Sequence, residues 1–299
     1  MNQDRQKTPQ KTQEPMKRVV LVAESGSDIT PALAAAHGIQ VVPMHVSFGA
    51  ESRDDGTFPA EEICAFYDRT GILPKTSGCT PEDFERAFDA IRARNPRSEI
   101  LHLAYSAVTT CSYQSARIAA EGREAITSVD TRQVTIGQCA VVVETARLLE
   151  AHPEWELAQA AEAARGLARR ARMCFIPGEL EFLRAGGRVS NAAAMCGRLL
   201  GIHPLIEILE GRLQATRKLR GRMEVLIPRL VEEYIQANRL DRREIWMVRT
   251  PRLAPHLVEA AQEAARRCGV QTVQWIPAGG VITAHGGPGA FGIAGFCQE

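Results

Sequence analysis

The stretch RVVLVAESGSDITP, residues 18–31, decides the fold class. It begins with a largely apolar run of strand length, and Thr30 followed by Pro31 then has the form of a helix start. Threonine caps helices, and proline fits their first turn. A strand that leads directly into a helix is the unit from which parallel sheets are built. Working outward, the same alternation recurs along the chain and predicts a parallel sheet covered by helices.

The first half of the chain supplies most of this alternation. We predict further strands at Ile39–Phe48, Glu99–Ser106 and Ala125–Thr131, and helices at Pro31–His37, Pro59–Asp68, Pro81–Ala93, Thr135–Ala151 and Glu154–Arg172. Thr80 and Asp83 have the spacing of a capping box, which marks the start of the third of these helices.

The character of the chain changes near residues 170–178. A short strand and two helices around Gly186 and Gly187 are expected to follow, and then a hairpin with Glu210 and Gly211 at its turn. The remaining predicted elements are the hairpin strands Pro204–Leu209 and Arg212–Leu219, the helices Arg222–Asn238 and Ala254–Arg267, the strands Glu244–Arg249 and Gln271–Ile276, and a final glycine-rich strand.

These elements predict two α/β domains. The first, residues 17–172, carries a Rossmann-like parallel sheet, and the second, residues 173–299, carries a mixed sheet. Segment exchange between the two domains stays open. The polar tail at residues 1–16 is expected to be disordered.

Composition excludes several classes of protein. The chain has 299 residues, of which 45% are hydrophobic and 24% charged, so a chain disordered throughout is excluded. Its 36 Lys and Arg balance 35 Asp and Glu, and this near-neutrality argues against a DNA-binding regulator. The eight cysteines contain no Cys-x-x-Cys pair, and we find no signal peptide or apolar run of membrane-spanning length. We therefore expect reduced thiols and a cytoplasmic location.

Two segments combine hydroxyl side chains with a predicted helix start. Thr76 and Ser77 precede the helix that begins at Pro81, where unpaired N–H groups favour an anion such as a carboxylate. Ser106 and Thr110 follow a predicted strand, at the edge where open α/β sheets bind ligands. Ordinary cap and loop residues are the competing interpretation for both segments.

Two further segments place a cation or an imidazole among glycines. Arg188 follows Gly186 and Gly187 and precedes a predicted helix. At this position its charge suits the binding of a carboxylate or phosphate. The alternative is a solvated surface arginine. His285 is expected to end a strand, next to exposed backbone amides at Gly286 and its neighbours. A structural histidine in a tight turn is the alternative.

A fifth segment, RKLRGRMEV at residues 217–225, is strongly basic. Arg220 and Arg222 lie in it, and the cluster is either a solvated face or a docking surface for an acidic partner. The chain has no Gly-x-Ser-x-Gly, Gly-x-Gly-x-x-Gly or P-loop pattern in the required setting, so we predict no hydrolase serine and no NAD or ATP cofactor.

In order and spacing, these segments resemble the DegV family of fatty-acid-binding proteins, from about Lys17 to Gln298. The most specific similarities are LRAGGRVS at residues 183–190 and HGGPGA at residues 285–290. Weaker ones are Glu24-Ser25 for the family's Asp-Ser, residues 76–80 for its Thr-Ser-Gln-Pro-Ser loop, and residues 106–116 for its Ser-Ser-x-x-Ser-Gly-Thr-Tyr-Gln-Ser-Ala stretch.

The resemblance implies a carrier without catalysis of its own. A long-chain fatty acid would lie in an apolar tunnel between the domains and be presented to a separate fatty acid kinase subunit. No cofactor or metal is implied, and transient membrane contact is compatible with this role. The implied head-group residues are Thr76, Ser77, Ser106, Thr110, Arg188, His285 and Gly286, and the implied kinase-facing residues are Arg220 and Arg222.

The sequence also departs from the family pattern. Gly78 and Cys79 replace the expected Gln-Pro, Ala107 replaces the second serine, and Cys111 replaces a glycine. Head-group geometry, acyl preference and the kinase partnership depend on these positions. The alternative hypothesis is an enzyme that acts on a small phosphorylated or carboxylated metabolite, with His285 as general base and Arg188 as anion clamp.

Overall fold

The computed structural model describes residues 19–189 and 201–298 of the chain. Two predictions therefore lie outside the described residues: the disordered tail and the helix expected after Arg188. Elsewhere the α/β fold class is confirmed, with one parallel sheet and one mixed sheet.

A four-stranded parallel sheet forms the first layer, in the order β2-β1-β6-β7. Its strands are β1 (Val19–Glu24), β2 (Gln40–Val42), β6 (Glu99–Ala104) and β7 (Ile126–Asp130). The helices of this half are α1 (Pro31–His37), α2 (Glu61–Thr70), α3 (Pro81–Arg94), α4 (Ser112–Ala119), α5 (Thr135–Ala151) and α6 (Leu157–Arg170). Both predicted caps are present, because Thr30 accepts a hydrogen bond from Leu33 N and Thr80 forms the capping box with Asp83.

A six-stranded mixed sheet forms the second layer, in the order β10-β9-β8-β13-β11-β12. Its strands are β8 (Ala171–Ile176), β9 (Ile202–Leu209), β10 (Arg212–Arg220), β11 (Glu244–Arg249), β12 (Thr272–Pro277) and β13 (Phe291–Phe296). The helices here are α7 (Leu180–Gly186), α8 (Met223–Ala237), α9 (Pro255–Arg267) and α10 (Gly280–Gly286). The predicted turn is confirmed, since Glu210 and Gly211 both have positive φ, at 49° and 81°.

The strand predicted over Ile39–Phe48 is wrong as a single element. The chain leaves the parallel sheet after Val42 and passes Pro43, which has no N–H to donate to a ladder. It then enters a small antiparallel sheet of β3 (His45–Phe48), β4 (Glu51–Asp54) and β5 (Lys75–Ser77). This third sheet, which we did not predict, carries Thr76.

Helix α5 lies between the two large sheets. It contacts β1 and β6 on one side and β8, β11 and β13 on the other, and most of its side chains are buried. A helix that is apolar on all faces needs such a two-sided environment. One hydrophobic cluster accordingly contains Val22 and Leu103 from the first layer together with Trp246 and Ala294 from the second. The domain boundary at residues 172/173 stays a prediction.

Candidate functional site

A partly open cavity lies between the two layers. The apolar wall consists of Met44, Val134, Met173, Phe175, Leu213, Val248, Val281, Ile282, Ala290 and Phe291. The polar lining consists of Thr76, Ser77, Gly78, Tyr105, Thr109, Thr110, Thr135, Arg188, Thr250, His285 and Gly286.

The cavity has an open polar mouth and a closed inner part. Ser77 and Arg188 are exposed, and Thr76, Thr110 and His285 are partly exposed, so these groups face the opening. The inner lining is buried: Tyr105 is 9% exposed, Val134 2%, Thr135 4%, Met173 1% and Phe291 0%. A ligand with a polar head and an apolar body matches this gradient.

Thr76 and His285 meet at the mouth. The Oγ1 of Thr76 lies 2.8 Å from Nε2 of His285, although the two residues are 209 positions apart. Strand β5 positions Thr76 through its pairing with Val46, and helix α10 positions His285. Our prediction that His285 ends a strand is wrong, because this part of the chain forms helix α10 before β13 begins.

The imidazole of His285 is neutral at physiological pH. Burial and, to a smaller extent, the positive charge of Arg188 lower its pKa from 6.5 to about 4. A neutral imidazole with a proton on one nitrogen can donate one hydrogen bond and accept another. The Thr76–His285 pair is thus uncharged, and Arg188 places a guanidinium at the same mouth.

The glycine pair of the LRAGGRVS segment has two separate structural roles. A Cβ on Gly186 would lie 2.2 Å from Nδ1 of His285, so only glycine lets the imidazole pack against the end of α7. Gly187 has a φ of 64° and caps that helix in the left-handed conformation.

Arg188 is positioned by its neighbours on both sides. Its Nη1 donates to the Gly186 carbonyl at 2.7 Å, and the next residue, Val189, forms a bridge to Leu213 on β10. The guanidinium therefore lies at the mouth of the cavity next to His285.

The residues that depart from the family pattern at positions 78 and 110–112 are in contact with one another. A Cβ on Gly78 would lie 2.4 Å from Thr110 Oγ1 and 2.7 Å from Ser112 Oγ. The Ser112 hydroxyl in turn accepts the backbone N–H of Cys79 at 3.0 Å. Glycine at position 78 thus gives the Thr110 and Ser112 hydroxyls room to approach the β5 loop.

The HGGPGA segment is held by Thr250. The Thr250 hydroxyl donates to the Gly287 carbonyl and accepts the N–H of Ala290, each at 2.7 Å. Gly286 itself accepts a hydrogen bond from Gly178 N at 2.9 Å. These contacts fix the turn that follows α10.

Two buried aspartates hold the opposite end of α10. Asp28 accepts the N–H of Gly279 at 2.7 Å, and Asp55 accepts that of Gly280 at 2.8 Å. Burial raises the pKa of both carboxyl groups, that of Asp28 to about 8. Sequence reasoning missed both residues, since a single Asp after a strand gives no signal of a contact some 250 positions away.

Six of the seven predicted head-group residues line this one cavity. Ser106 does not: its buried hydroxyl donates to the Gly211 carbonyl at 2.7 Å and so ties the tip of the β9–β10 hairpin to the end of β6. Arg220 and Arg222 lie outside the cavity, where both are exposed. Tyr105 and Thr135 line the cavity but were not predicted to bind ligand, because sequence patterns do not show which way a buried side chain points.

Within residues 19–189 and 201–298, no group of three or more His, Cys, Asp or Glu side chains is arranged to hold a metal ion. No helix in this part of the chain combines the length and apolarity needed to cross a bilayer.

A family profile described as "Uncharacterised protein, DegV family" matches residues 18–297. The chain belongs to the DegV family. A DegV domain-containing protein of Deinococcus radiodurans is 30% identical over 287 residues, which cover 92% of this chain and 97% of the relative.

Solved DegV structures share the fold. A DegV family protein from Thermus thermophilus, described by its fatty acid binding, superimposes with a TM-score of 0.83 at 28% identity, covering 94% of this chain and 100% of that one. A Thermotoga maritima DegV lipid-binding protein reaches a TM-score of 0.80 at 23% identity, covering 94% and 99%, and at that identity it supports the fold alone.

Proposed function

We propose that this DegV protein binds a long-chain fatty acid in the cavity between its two layers, with the carboxylate at the mouth. The observation that carries the proposal is the Thr76–His285 pair, joined at 2.8 Å at the polar opening of a cavity whose inner wall is largely apolar. The fatty acid binding of the related Thermus thermophilus protein supports the same assignment.

The mouth offers the donors that a carboxylate needs. A carboxylate removed from water is costly unless it is hydrogen-bonded or paired with a cation. In the proposed complex, His285 donates its Nε2 proton to Thr76 Oγ1 and thereby directs the Thr76 hydroxyl proton to the carboxylate. Ser77, Thr110 and the guanidinium of Arg188 supply further donors from the same rim.

The inner part of the cavity accommodates the acyl chain. Each methylene that moves from water into the cavity contributes about 0.8 kcal/mol to the binding free energy, so affinity should rise with chain length until the cavity is filled. The buried side chains of Met173, Val248 and Phe291 provide this apolar environment.

The first test is ligand binding. Lipid extracted from the purified protein should contain a long-chain fatty acid, and palmitate added to delipidated protein should raise the melting temperature. The Thr76→Val variant should bind palmitate about 10- to 100-fold more weakly, whereas Thr70→Val, at the exposed end of α2, should bind it normally. Absence of fatty acid and of any thermal shift would contradict the proposal.

We further propose that the bound acid is presented to a separate kinase subunit, in the cytosol, and is phosphorylated there on its carboxylate. A carboxylate at the open mouth is accessible to such a partner, and Arg220 and Arg222 form an exposed basic surface for it. The Arg220→Glu variant should lower acyl-phosphate formation by the kinase without changing palmitate affinity. Arg97→Glu, a charge reversal of an exposed residue in the other layer, is the matched control.

The alternative, an enzyme with His285 as general base, has weaker physical support. A general base works best with a pKa near the operating pH, whereas that of His285 is about 4. Turnover of a phosphorylated or carboxylated metabolite without any kinase would favour this alternative.

A further inference from the structure

The buried tyrosine of the cavity, Tyr105, has no role in the function proposed above. It directly follows β6, and its ring packs beside Met44. A Cβ placed on Gly26 would lie 3.0 Å from Tyr105 Cε2 and 2.9 Å from Met44 Sδ, so these two side chains leave no free space there. The ring therefore packs closely against Gly26.

The hydroxyl of Tyr105 has no hydrogen-bond partner within residues 19–189 and 201–298. The side chain is only 9% exposed and lines the cavity, so an acyl chain that fills the cavity would remove the hydroxyl from solvent. A hydroxyl that is buried without a partner costs about 1–3 kcal/mol. A plain methylene chain packed against it would impose this cost in the complex.

A second hydroxyl, that of Thr135, lines the same inner region. Thr135 has a φ of 41°, an outlier for a β-branched residue, and its hydroxyl is hydrogen-bonded to Asp28. Strained backbone of this kind persists where the surrounding structure enforces it, and it is concentrated at binding sites.

The Thr135 hydroxyl lies toward the end of α10 opposite His285. Asp28, the partner of Thr135, binds Gly279 at the start of α10, whereas His285 lies six residues further along that helix. A rise of 1.5 Å per residue separates the two positions by about 9 Å. Burial raises the pKa of Tyr105, the charges of Asp28 and Glu24 raise it further and that of Arg188 lowers it, which agrees with a phenol between Asp28 and the mouth.

We propose that Tyr105 and Thr135 form a second polar position inside the cavity, which binds an oxygen carried by the acyl chain itself. This inference rests on the proposed function and specifies its substrate class: long-chain fatty acids with a mid-chain hydroxyl, several carbons from the carboxylate. The phenol donates to the ligand oxygen, and Thr135 takes the complementary role toward the ligand's hydroxyl proton.

The test compares stearate with a positional series of monohydroxystearates, by calorimetry on delipidated protein. Wild-type protein should bind one or two adjacent mid-chain isomers about 10-fold more tightly than stearate. The Tyr105→Phe variant should lose this preference while binding stearate at least as well as the wild type. Tyr113→Phe, which removes a hydroxyl outside the cavity, should keep the preference.

Thr135→Val provides a second variant and should also reduce the preference. Equal affinity of wild-type protein for stearate and every isomer would overturn the inference and leave fatty-acid binding intact. A Tyr105→Phe variant that weakens stearate and hydroxystearates equally would also overturn it, since the phenol would then serve the carboxylate. If none of these acids binds, the proposed function itself fails.

Discussion

Replacing Gly186 with alanine should weaken fatty-acid binding without unfolding the protein. The new methyl group would lie 2.2 Å from Nδ1 and 3.0 Å from Cε1 of His285, whereas ordinary contacts begin near 3.4 Å. The imidazole must therefore move by more than an ångström. Such a movement breaks the 2.8 Å hydrogen bond to Thr76 and leaves that hydroxyl without its orienting partner.

The size of the effect follows from the hydrogen bond that the disoriented Thr76 hydroxyl can no longer donate to the carboxylate. A hydrogen bond to a charged group contributes about 1.5–3 kcal/mol, which corresponds to a 10- to 150-fold loss of palmitate affinity. The fold should tolerate the change, because alanine has a higher helix propensity than glycine and Gly186 is the last residue of α7.

Gly187→Ala is the matched control, one residue further along. Its φ of 64° makes alanine unfavourable by about 1–2 kcal/mol, but a Cβ there would meet no atom within 4 Å. We expect a less stable protein with nearly normal palmitate affinity, measured by thermal unfolding and calorimetry on both variants. A folded Gly186→Ala protein that binds palmitate like the wild type would refute the reasoning that His285 must be oriented.

Two further predictions concern residues outside the binding mouth. Ser106→Ala should lower the free energy of unfolding by about 1–3 kcal/mol, because it leaves the Gly211 carbonyl unpaired, and should leave palmitate affinity unchanged; a large loss of affinity would instead support our original placement of Ser106 at the head group. Asp28→Asn should change how stability depends on pH. The pKa of Asp28 is about 8 in the folded protein against an ordinary 3.8, so its contribution to stability is present at low pH and is lost as pH rises through this interval. The free energy of unfolding of Asp28→Asn, measured with urea, should therefore rise relative to that of the wild type by up to about 1.4 kcal/mol per pH unit between pH 4 and 8. Parallel pH profiles would contradict this assignment.

Local patterns were sufficient for many individual elements. Helices Pro31–His37 and Thr135–Ala151 and strand Glu244–Arg249 have the predicted bounds. Capping residues, helical periodicity and an apolar run of strand length are properties of adjacent residues, so they can be found without knowing the rest of the fold.

Features that depend on distant contacts could not be predicted in this way. The path after Val42 depends on which sheet receives the next strand. The role of Ser106 depends on a hairpin more than 100 positions away. A glycine-rich segment such as residues 278–290 has weak preference for strand or helix, and the caps supplied by Asp28 and Asp55 decide that α10 is helical.

The candidate site was predictable in composition and less so in geometry. The glycine and hydroxyl motifs identified Thr76, Arg188 and His285, which the structure brings to one cavity mouth. The inner residues Tyr105 and Thr135 lie in unremarkable sequence, and only the packing of the two layers around α5 directs them into the cavity.

A crystal structure of the protein with palmitate would test the central claim most directly. We predict a carboxylate oxygen about 3 Å from Thr76 Oγ1, close to Arg188, and an acyl chain that runs inward past Met173 and Phe291. A carboxylate bound away from the Thr76–His285 pair, or a chain outside the cavity, would contradict the account.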